Sequence, residues 1–242
     1  MKSSVGQRVH SGRALCLWIT VVALISSSCS RSGMEPSVAV LIDNSGSIPA
    51  EFSGRIHEAV TDRSRSWVLQ GQPGDNLSLW FFAPGNSPFP AYKRTWKLPT
   101  WKAPANRHRK VVAGEILAEI RDALLEMPAG TNQTPLLESI HYVAATKSAG
   151  WELVLFSDLH QDSGRWKRLR PSKGADPSES ITGMLELCPP VQVPPERIRV
   201  FAWPGFVGRS IDVEQYEHDR AVFAEFFSRW APTATVEFIH FQ

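Results

Sequence analysis

From residue 37 to the end of the chain, short apolar runs alternate with segments in which apolar residues recur every three or four positions. Continuous apolar runs of this length are typical of strands buried on both faces, and the recurrence indicates helices with one buried side. The pattern predicts strands near 37–43, 76–83, 151–157, 197–203 and 233–241. Strands and helices that alternate in this way predict an α/β fold, doubly wound, with a mostly parallel central sheet and helices on both faces.

The predicted helices lie between these strands, and four of them are recognised by an apolar stripe at helical spacing. A further helix is predicted from Pro177, with Asp176 as its cap and Glu179 three residues after the cap. The four stripes consist of Phe52, Ile56, Val60 and Trp67; Val112, Ile116, Ile120 and Leu124; Leu136, Ile140, Val143 and Ala144; and Tyr216, Phe223, Phe227 and Trp230.

Two segments fit the alternation less well. Residues 84–110 contain five prolines, which leaves room only for a short edge strand near 91–97. Residues 159–175 form a long basic loop after the third predicted strand.

The start of the chain has the pattern of an export signal. Three basic residues precede the uncharged run 14–25, which is followed by Ser26-Ser27-Ser28-Cys29. This ending resembles a bacterial lipobox, which implies that Cys29 is lipidated and that the protein is a membrane-anchored lipoprotein of the cell envelope. Ser26 stands where lipoboxes prefer Leu, so ordinary signal cleavage near this point is the alternative. We therefore expect a signal peptide over 1–28, a tether over 29–36 and one domain over 37–242.

Net charge and cysteine content limit which partners and which disulfides we expect. Residues 1–28 contain three basic and no acidic residues, so the formal net charge of +2 belongs to the signal and the remainder is nearly neutral. Nucleic acid is therefore not expected as a partner. If Cys16 is removed and Cys29 acylated, Cys188 is left alone, and no intramolecular disulfide can form.

The strongest chemical signal is the run Asp43-Asn44-Ser45-Gly46-Ser47, which follows the first predicted strand. One carboxylate and two hydroxyls at the carboxyl end of a buried strand are oxygen ligands at the edge where open α/β folds place their sites. Thr134, before a predicted helix, and Asp158, at the end of a predicted strand, offer the same kind of ligand. An oxygen-only set favours Mg²⁺ or Mn²⁺ over zinc.

These residues together resemble the von Willebrand factor type A (VWA) family, whose metal-ion-dependent adhesion site (MIDAS) combines a D-x-S-x-S loop, a distant Thr and a distant Asp. The resemblance implies that Ser45, Ser47 and Thr134 contact the metal through their hydroxyls, and that Asp43 and Asp158 act directly or through water. It also implies that an acidic side chain of a partner protein completes the coordination. Thr131 is the alternative to Thr134, although residues 139 and 140 fit the family spacing from Thr134.

Basic residues follow Asp158 closely. Arg165, Lys167, Arg168 and Arg170 are candidates for docking an acidic partner at the rim of the metal face. A second basic run, 93–110, interleaves Trp with Lys and Arg, and we interpret it as solvated loop. His160 and Asp162 could suggest a second cation, but a solvated loop histidine is the preferred interpretation.

No motif of a protease, a serine hydrolase or a P-loop enzyme occurs in the chain. We therefore expect a binding protein and no enzyme: an envelope-tethered VWA domain that mediates divalent-metal-dependent protein–protein binding. The alternatives are a structural envelope protein with an unused metal loop, and a phosphatase-like hydrolase with Asp43 as nucleophile. The second alternative requires another Asp two residues on, where Ser45 stands.

Overall fold

A computed structural model of the protein describes residues 37–44, 50–81, 92–126, 134–148, 150–169, 177–203, 206–207, 210–211 and 213–240. They belong to one compact unit, Glu35–Gln242. The predicted signal peptide, Cys29 and the tether lie outside the described residues. Among the residues that are described, no helix is both long and apolar enough to span a bilayer.

The described strands comprise a six-stranded sheet and a short hairpin. In chain order they are β1 (Ser37–Ile42), β2 (Asn76–Phe81), β3 (Tyr92–Lys97), β4 (Trp151–Ser157), β5 (Arg197–Ala202), β6 (Phe206–Val207), β7 (Ser210–Ile211) and β8 (Thr235–His240). The helices are α1 (Ala50–Gln70), α2 (Ala105–Leu125), α3 (Leu136–Ala145), α4 (Trp166–Leu169), α5 (Pro177–Leu187) and α6 (Val213–Trp230).

The sheet has the strand order β3-β2-β1-β4-β5-β8. All neighbouring pairs are parallel except β2 and β3, which are antiparallel. The chain runs outward from β1 through β2 to β3 and then returns to form β4 on the other side of β1. The direction of winding therefore reverses between β1 and β4, and in open α/β sheets such a switch point creates a crevice outside the carboxyl ends of the strands.

Two apolar clusters cover the two faces of the sheet. On one face, Val38, Val40 and Ile42 of β1 pack with residues of α1 and α2. On the other, Ala39 and Leu41 pack with residues of α3, α5 and α6. This alternation along one strand shows why β1 is apolar throughout: both of its faces are covered. The predicted doubly wound α/β fold is confirmed.

The predicted elements agree closely with the observed ones. The strand ends differ by one or two residues: β2 ends at Phe81, β5 at Ala202, and β8 spans Thr235–His240. The edge strand predicted near 91–97 is β3. The stripe residues are buried, apart from Phe52, whose side chain is outside the described part.

Two short features were not predicted, the helix α4 and the β6–β7 hairpin. The start of α4 is stabilised by Ser163, whose hydroxyl accepts a hydrogen bond from the backbone N–H of Trp166 at 3.0 Å. The carbonyl of Ser163 accepts a second one from Lys167 at 3.0 Å. A single capped turn of this kind has too few residues to show a periodic apolar pattern.

Candidate metal centre

The two predicted carboxylates lie at the carboxyl ends of adjacent strands. Asp43 directly follows β1 and Asp158 directly follows β4, and the last residue of β1 is paired with Phe156. The backbone N–H of Asp43 continues the ladder by donating to the Phe156 carbonyl at 2.8 Å. The structure therefore brings both carboxylates to the switch point. Ser45 and Ser47 lie in 45–49, outside the described residues.

Asp43 is held in one orientation by the last residue of β4. The Ser157 hydroxyl donates to Oδ2 of Asp43 at 2.9 Å and accepts the N–H of Leu159 at 3.0 Å. Asp43 and Ser157 are both completely inaccessible to solvent. Because the hydroxyl is fixed from both sides, the carboxylate that it contacts has little rotational freedom.

Asp158 is also buried, with 4% of its surface exposed. Its Oδ1 accepts the backbone N–H of His160 at 3.0 Å, and the intervening Leu159 has a left-handed φ of 63°. Within the part of the chain whose side chains are described, no ion pair involves Asp158. Burying a carboxylate without a compensating cation is unfavourable. A bound metal ion would provide that compensation.

Thr134 is fixed beside the segment that follows Asp158. Its N–H donates to the Asp162 carbonyl at 2.8 Å, and its own carbonyl accepts the N–H of Asp162 at 2.9 Å. Pro135 occupies the N-cap position of α3, directly before its first residue, Leu136. Thr134 thus stands just before the helix, as expected, and is 4% exposed. The alternative, Thr131, lies outside the described residues.

A buried polar network, which the sequence did not reveal, supports this arrangement. The carboxylate of Glu138 accepts hydrogen bonds from Gln161 Nε2 at 2.9 Å and from the Ser163 hydroxyl at 2.6 Å. The other amide atom of Gln161, Oε1, accepts the N–H of Leu137 in the first turn of α3 at 2.8 Å. The network attaches segment 158–166 to the start of α3. The only sequence signal was a polar residue, Glu138, among the apolar residues of that helix.

The basic residues after Asp158 make contacts within the chain where their side chains are described. Arg165 is exposed and donates to the Glu186 carbonyl at 3.3 Å, and Lys167 pairs with Asp162 at 3.1 Å. The side chains of Arg168 and Arg170 are outside the described part. His160 is exposed and Asp162 is engaged by Lys167, so the geometry offers no support for a second cation there.

The tryptophans of the second basic run also have structural partners. The indole of Trp96 donates to Glu119 at 2.8 Å, and the Arg109 guanidinium lies 4.7 Å from the ring centroid of Trp101. Arg109 also donates to the Leu69 carbonyl at 2.7 Å. Trp96 and Arg109 thus contact α2 and α1. Packing within the chain therefore accounts for both tryptophans of the run and for Arg109.

An open groove of about 570 Å³ lies between α1 and α2, and its lining contains none of the predicted ligands. His57, at its base, has a pKa lowered by burial. Glu58, Asp62, Arg65 and Arg121 give the groove both signs of charge. The groove therefore adds nothing to the metal site.

The described residues fit an oxygen-ligand cation. Two buried carboxylates follow adjacent strands, and Thr134 is paired with the segment after one of them. No group of three or more His, Cys, Asp or Glu comes together in the described part of the chain. A MIDAS-type set contains only two carboxylates, and its other ligands are hydroxyls. If a metal binds here, oxygen donors of this kind would suit Mg²⁺ or Mn²⁺ better than zinc.

No protein-family model matches the chain, and no curated protein is detectably similar to it. The resemblance to VWA domains consequently rests on the ligand pattern itself. What the structure adds is the doubly wound fold and the position of Asp43, Thr134 and Asp158 within it.

Proposed function

We propose that the protein is an envelope-tethered VWA domain that binds a protein partner through a divalent cation. The observation that carries the proposal is the burial of Asp43 and Asp158 at the carboxyl ends of two adjacent strands, at the point where the sheet reverses its winding. Asp158 has no ion-pair partner among the described side chains. Two carboxylates in this position favour a cation bound between them, next to the D-x-S-x-S loop.

The residues have distinct roles in this proposal. Asp43 and Asp158 would hold Mg²⁺ or Mn²⁺ together with the hydroxyls of Ser45, Ser47 and Thr134. When bound, the cation supplies an open coordination position that an acidic side chain of the partner can fill. Ser157 keeps the Asp43 carboxylate oriented, and the backbone of Thr134 pairs with Asp162 in the segment that follows Asp158. Arg165 and Lys167 would add positive charge at the rim, with Arg168 and Arg170.

The geometry gives less support to a hydrolase with Asp43 as nucleophile. The Asp43 carboxylate is fully buried and already accepts a hydrogen bond from Ser157. A nucleophile must reach an external substrate, and the second Asp that such an enzyme needs is replaced by Ser45. A structural protein with an unused metal loop differs from our proposal only in whether metal binds and recruits a partner.

Calorimetric titration of Mg²⁺ and Mn²⁺ into the full chain tests the proposal. We expect weak binding by the wild type, because the site lacks its partner's carboxylate, and a loss of about tenfold or more in affinity in Asp158→Asn. The matched control is Asp162→Asn, which removes a carboxylate four residues away that pairs with Lys167. Thr134→Ala should weaken binding and Thr131→Ala should not. If the wild type and Asp158→Asn both give no heat with either metal at millimolar concentration, the proposal is wrong.

A further inference from the structure

Two lysines on another part of the sheet approach the same pair of polar and aromatic groups. The ammonium group of Lys147, just after α3, donates to the Ser78 hydroxyl at 3.1 Å. The indole N–H of Trp80 donates to that same hydroxyl at 2.9 Å. The ammonium group of Lys93 lies 4.5 Å from the ring centroid of Trp80. The cluster thus consists of four residues. Two belong to β2, one to β3, and one follows α3: Ser78, Trp80, Lys93 and Lys147.

This cluster is separate from the candidate metal centre. Lys147 follows the carboxyl end of α3, and its ammonium group lies 5.9 Å from the ring centroid of Trp151, the first residue of β4. Asp158 follows the last residue of β4, at the other end of the same strand. The cluster is built on β2 and β3, whereas the candidate metal ligands Asp43 and Asp158 follow β1 and β4.

Among the described side chains, neither lysine has an acidic partner. No carboxylate forms an ion pair with Lys93 or Lys147 within the described part of the chain, and Glu152 at the start of β4 is engaged by Arg63 and Arg199. The sequences of the undescribed segments 82–91 and 127–133 contain no Asp or Glu. Burial and, to a smaller extent, the positive charge of Lys93 together lower the pKa of Lys147 to about 8. Two neighbouring ammonium groups without an anion are an unfavourable arrangement.

We propose that Lys93 and Lys147 together bind a phosphate-type oxyanion, carried either by a soluble phosphate monoester or by a lipid headgroup. Each ammonium group has three N–H donors, and Ser78 uses one of those of Lys147. Lysine is a common phosphate ligand in proteins because its compact charge can approach several phosphate oxygens. Tyr142 of α3 is 36% exposed and packs edge-on against the Trp80 ring, with 6.0 Å between the ring centroids.

Nuclear magnetic resonance of the lysine side chains in the full chain tests this site, with inorganic phosphate added at constant ionic strength. Phosphate favours the charged form of its ligands, so it should raise the pKa of Lys147 by about one unit. In Lys93→Gln the pKa of Lys147 should rise without phosphate, because the neighbouring charge is gone, and the affinity for phosphate should fall by about tenfold. Lys110→Gln, at an exposed position of α2, is the control and should behave as the wild type.

The source of the phosphate group is tested by binding to vesicles that contain phosphatidic acid. The vesicle assay uses the Cys29→Ser protein, which lacks the predicted lipid anchor. Its Lys93-dependent binding to these vesicles, and none to phosphatidylcholine alone, would identify a lipid headgroup, whereas a response to inorganic phosphate alone would identify a soluble monoester. If phosphate leaves the pKa of Lys147 unchanged in the wild type and neither vesicle binds, the proposal is wrong. Because Lys93 is an exposed residue, Lys93→Gln should fold normally and the comparison remains decisive.

Discussion

Asp158 and Lys147 are two side chains of opposite charge whose burial makes that charge costly. Asp158 is 4% exposed at the end of β4, and Lys147 lies near the first residue of the same strand. In neither case does a described side chain of opposite charge compensate it. A bound ion of opposite charge would offset the cost of burying each group, and this physical argument underlies both proposed sites.

The pH dependence of stability offers a direct measurement of the cost at Lys147. Its pKa is about 8 in the folded protein and 10.5 in an unfolded chain, so between these values the unfolded state binds more protons. Stability contributed by this group therefore increases as the pH rises from 8 towards 10.5, and is unaffected by pH below 8. Relative to Lys147→Met, which retains the apolar stem, the wild type should gain about 2 kcal/mol in free energy of unfolding between pH 7 and pH 9.5.

Urea unfolding at the two pH values gives this difference, with Lys110→Met as the matched control at an exposed position. Titration of other groups, including the raised pKa values of Tyr216 and Cys188, is common to all three proteins and cancels in the comparison. Equal pH dependence in the wild type and Lys147→Met would contradict a depressed pKa at Lys147.

The ligand residues could be predicted individually, but the groups that orient them could not. Asp43, Thr134 and Asp158 stand at boundaries of strands or helices, and a boundary is visible in the local pattern. Ser157 contacts Asp43 across 114 residues of sequence, and Gln161 contacts Glu138 across 23. A contact of that kind depends on the register of the sheet and on the position of α3, neither of which local periodicity specifies.

The segment 158–166 is hydrogen-bonded to the start of α3 and is not a free loop. It is attached to the first turn of that helix by Gln161, by Ser163 and by the paired backbone of Thr134 and Asp162. The basic loop predicted over 159–175 is therefore ordered at its beginning. This attachment holds Thr134 next to the segment that begins with Asp158.

Gln161→Ala should show how much this attachment contributes. The substitution leaves the Leu137 N–H without its acceptor and removes one of the two amide and hydroxyl donors to the buried Glu138 carboxylate. Leaving buried groups unsatisfied costs about 1–3 kcal/mol in free energy of unfolding, measured by urea denaturation. Ser228→Ala removes an exposed hydroxyl that donates to the Glu225 carbonyl on α6, and should change stability by about 0.5 kcal/mol or less.

A second readout separates positioning from stability. If Gln161 orders the segment that carries Asp158, Gln161→Ala should also weaken Mg²⁺ or Mn²⁺ binding under conditions where the protein remains folded. Reduced stability with unchanged metal affinity would show that the network only supports the core.

The longer elements were predictable because each presents an apolar side over several turns or a continuous apolar strand. In α2, for example, Val112, Ile116, Ile120 and Leu124 are all buried, as their spacing indicates. The β6–β7 hairpin has two residues in each strand, and α4 has four residues in all. Segments this short lack a period, and their structure depends on local hydrogen bonds and on the surrounding chain.

At the scale of the whole molecule, the doubly wound topology places the two proposed sites in different parts of the sheet. The metal ligands follow β1 and β4 at the switch point, whereas the lysine pair occupies the β2–β3 end on the face that α3 covers. No residue belongs to both sites. Substitutions at one site should therefore leave the other unaffected.

We predict that acylation of Cys29 attaches the whole molecule to a membrane. The apolar run 14–25 and the small residues before Cys29 have the pattern of a lipoprotein signal. Because the predicted lipid is the anchor, Cys29→Ser should move the protein from the membrane fraction to the soluble envelope fraction of a bacterial host. Cys16→Ser, within the same signal, is the control and should remain in the membrane fraction. Mass spectrometry of the mature N-terminus gives the decisive measurement: a first residue other than a lipid-modified Cys29 would contradict the prediction.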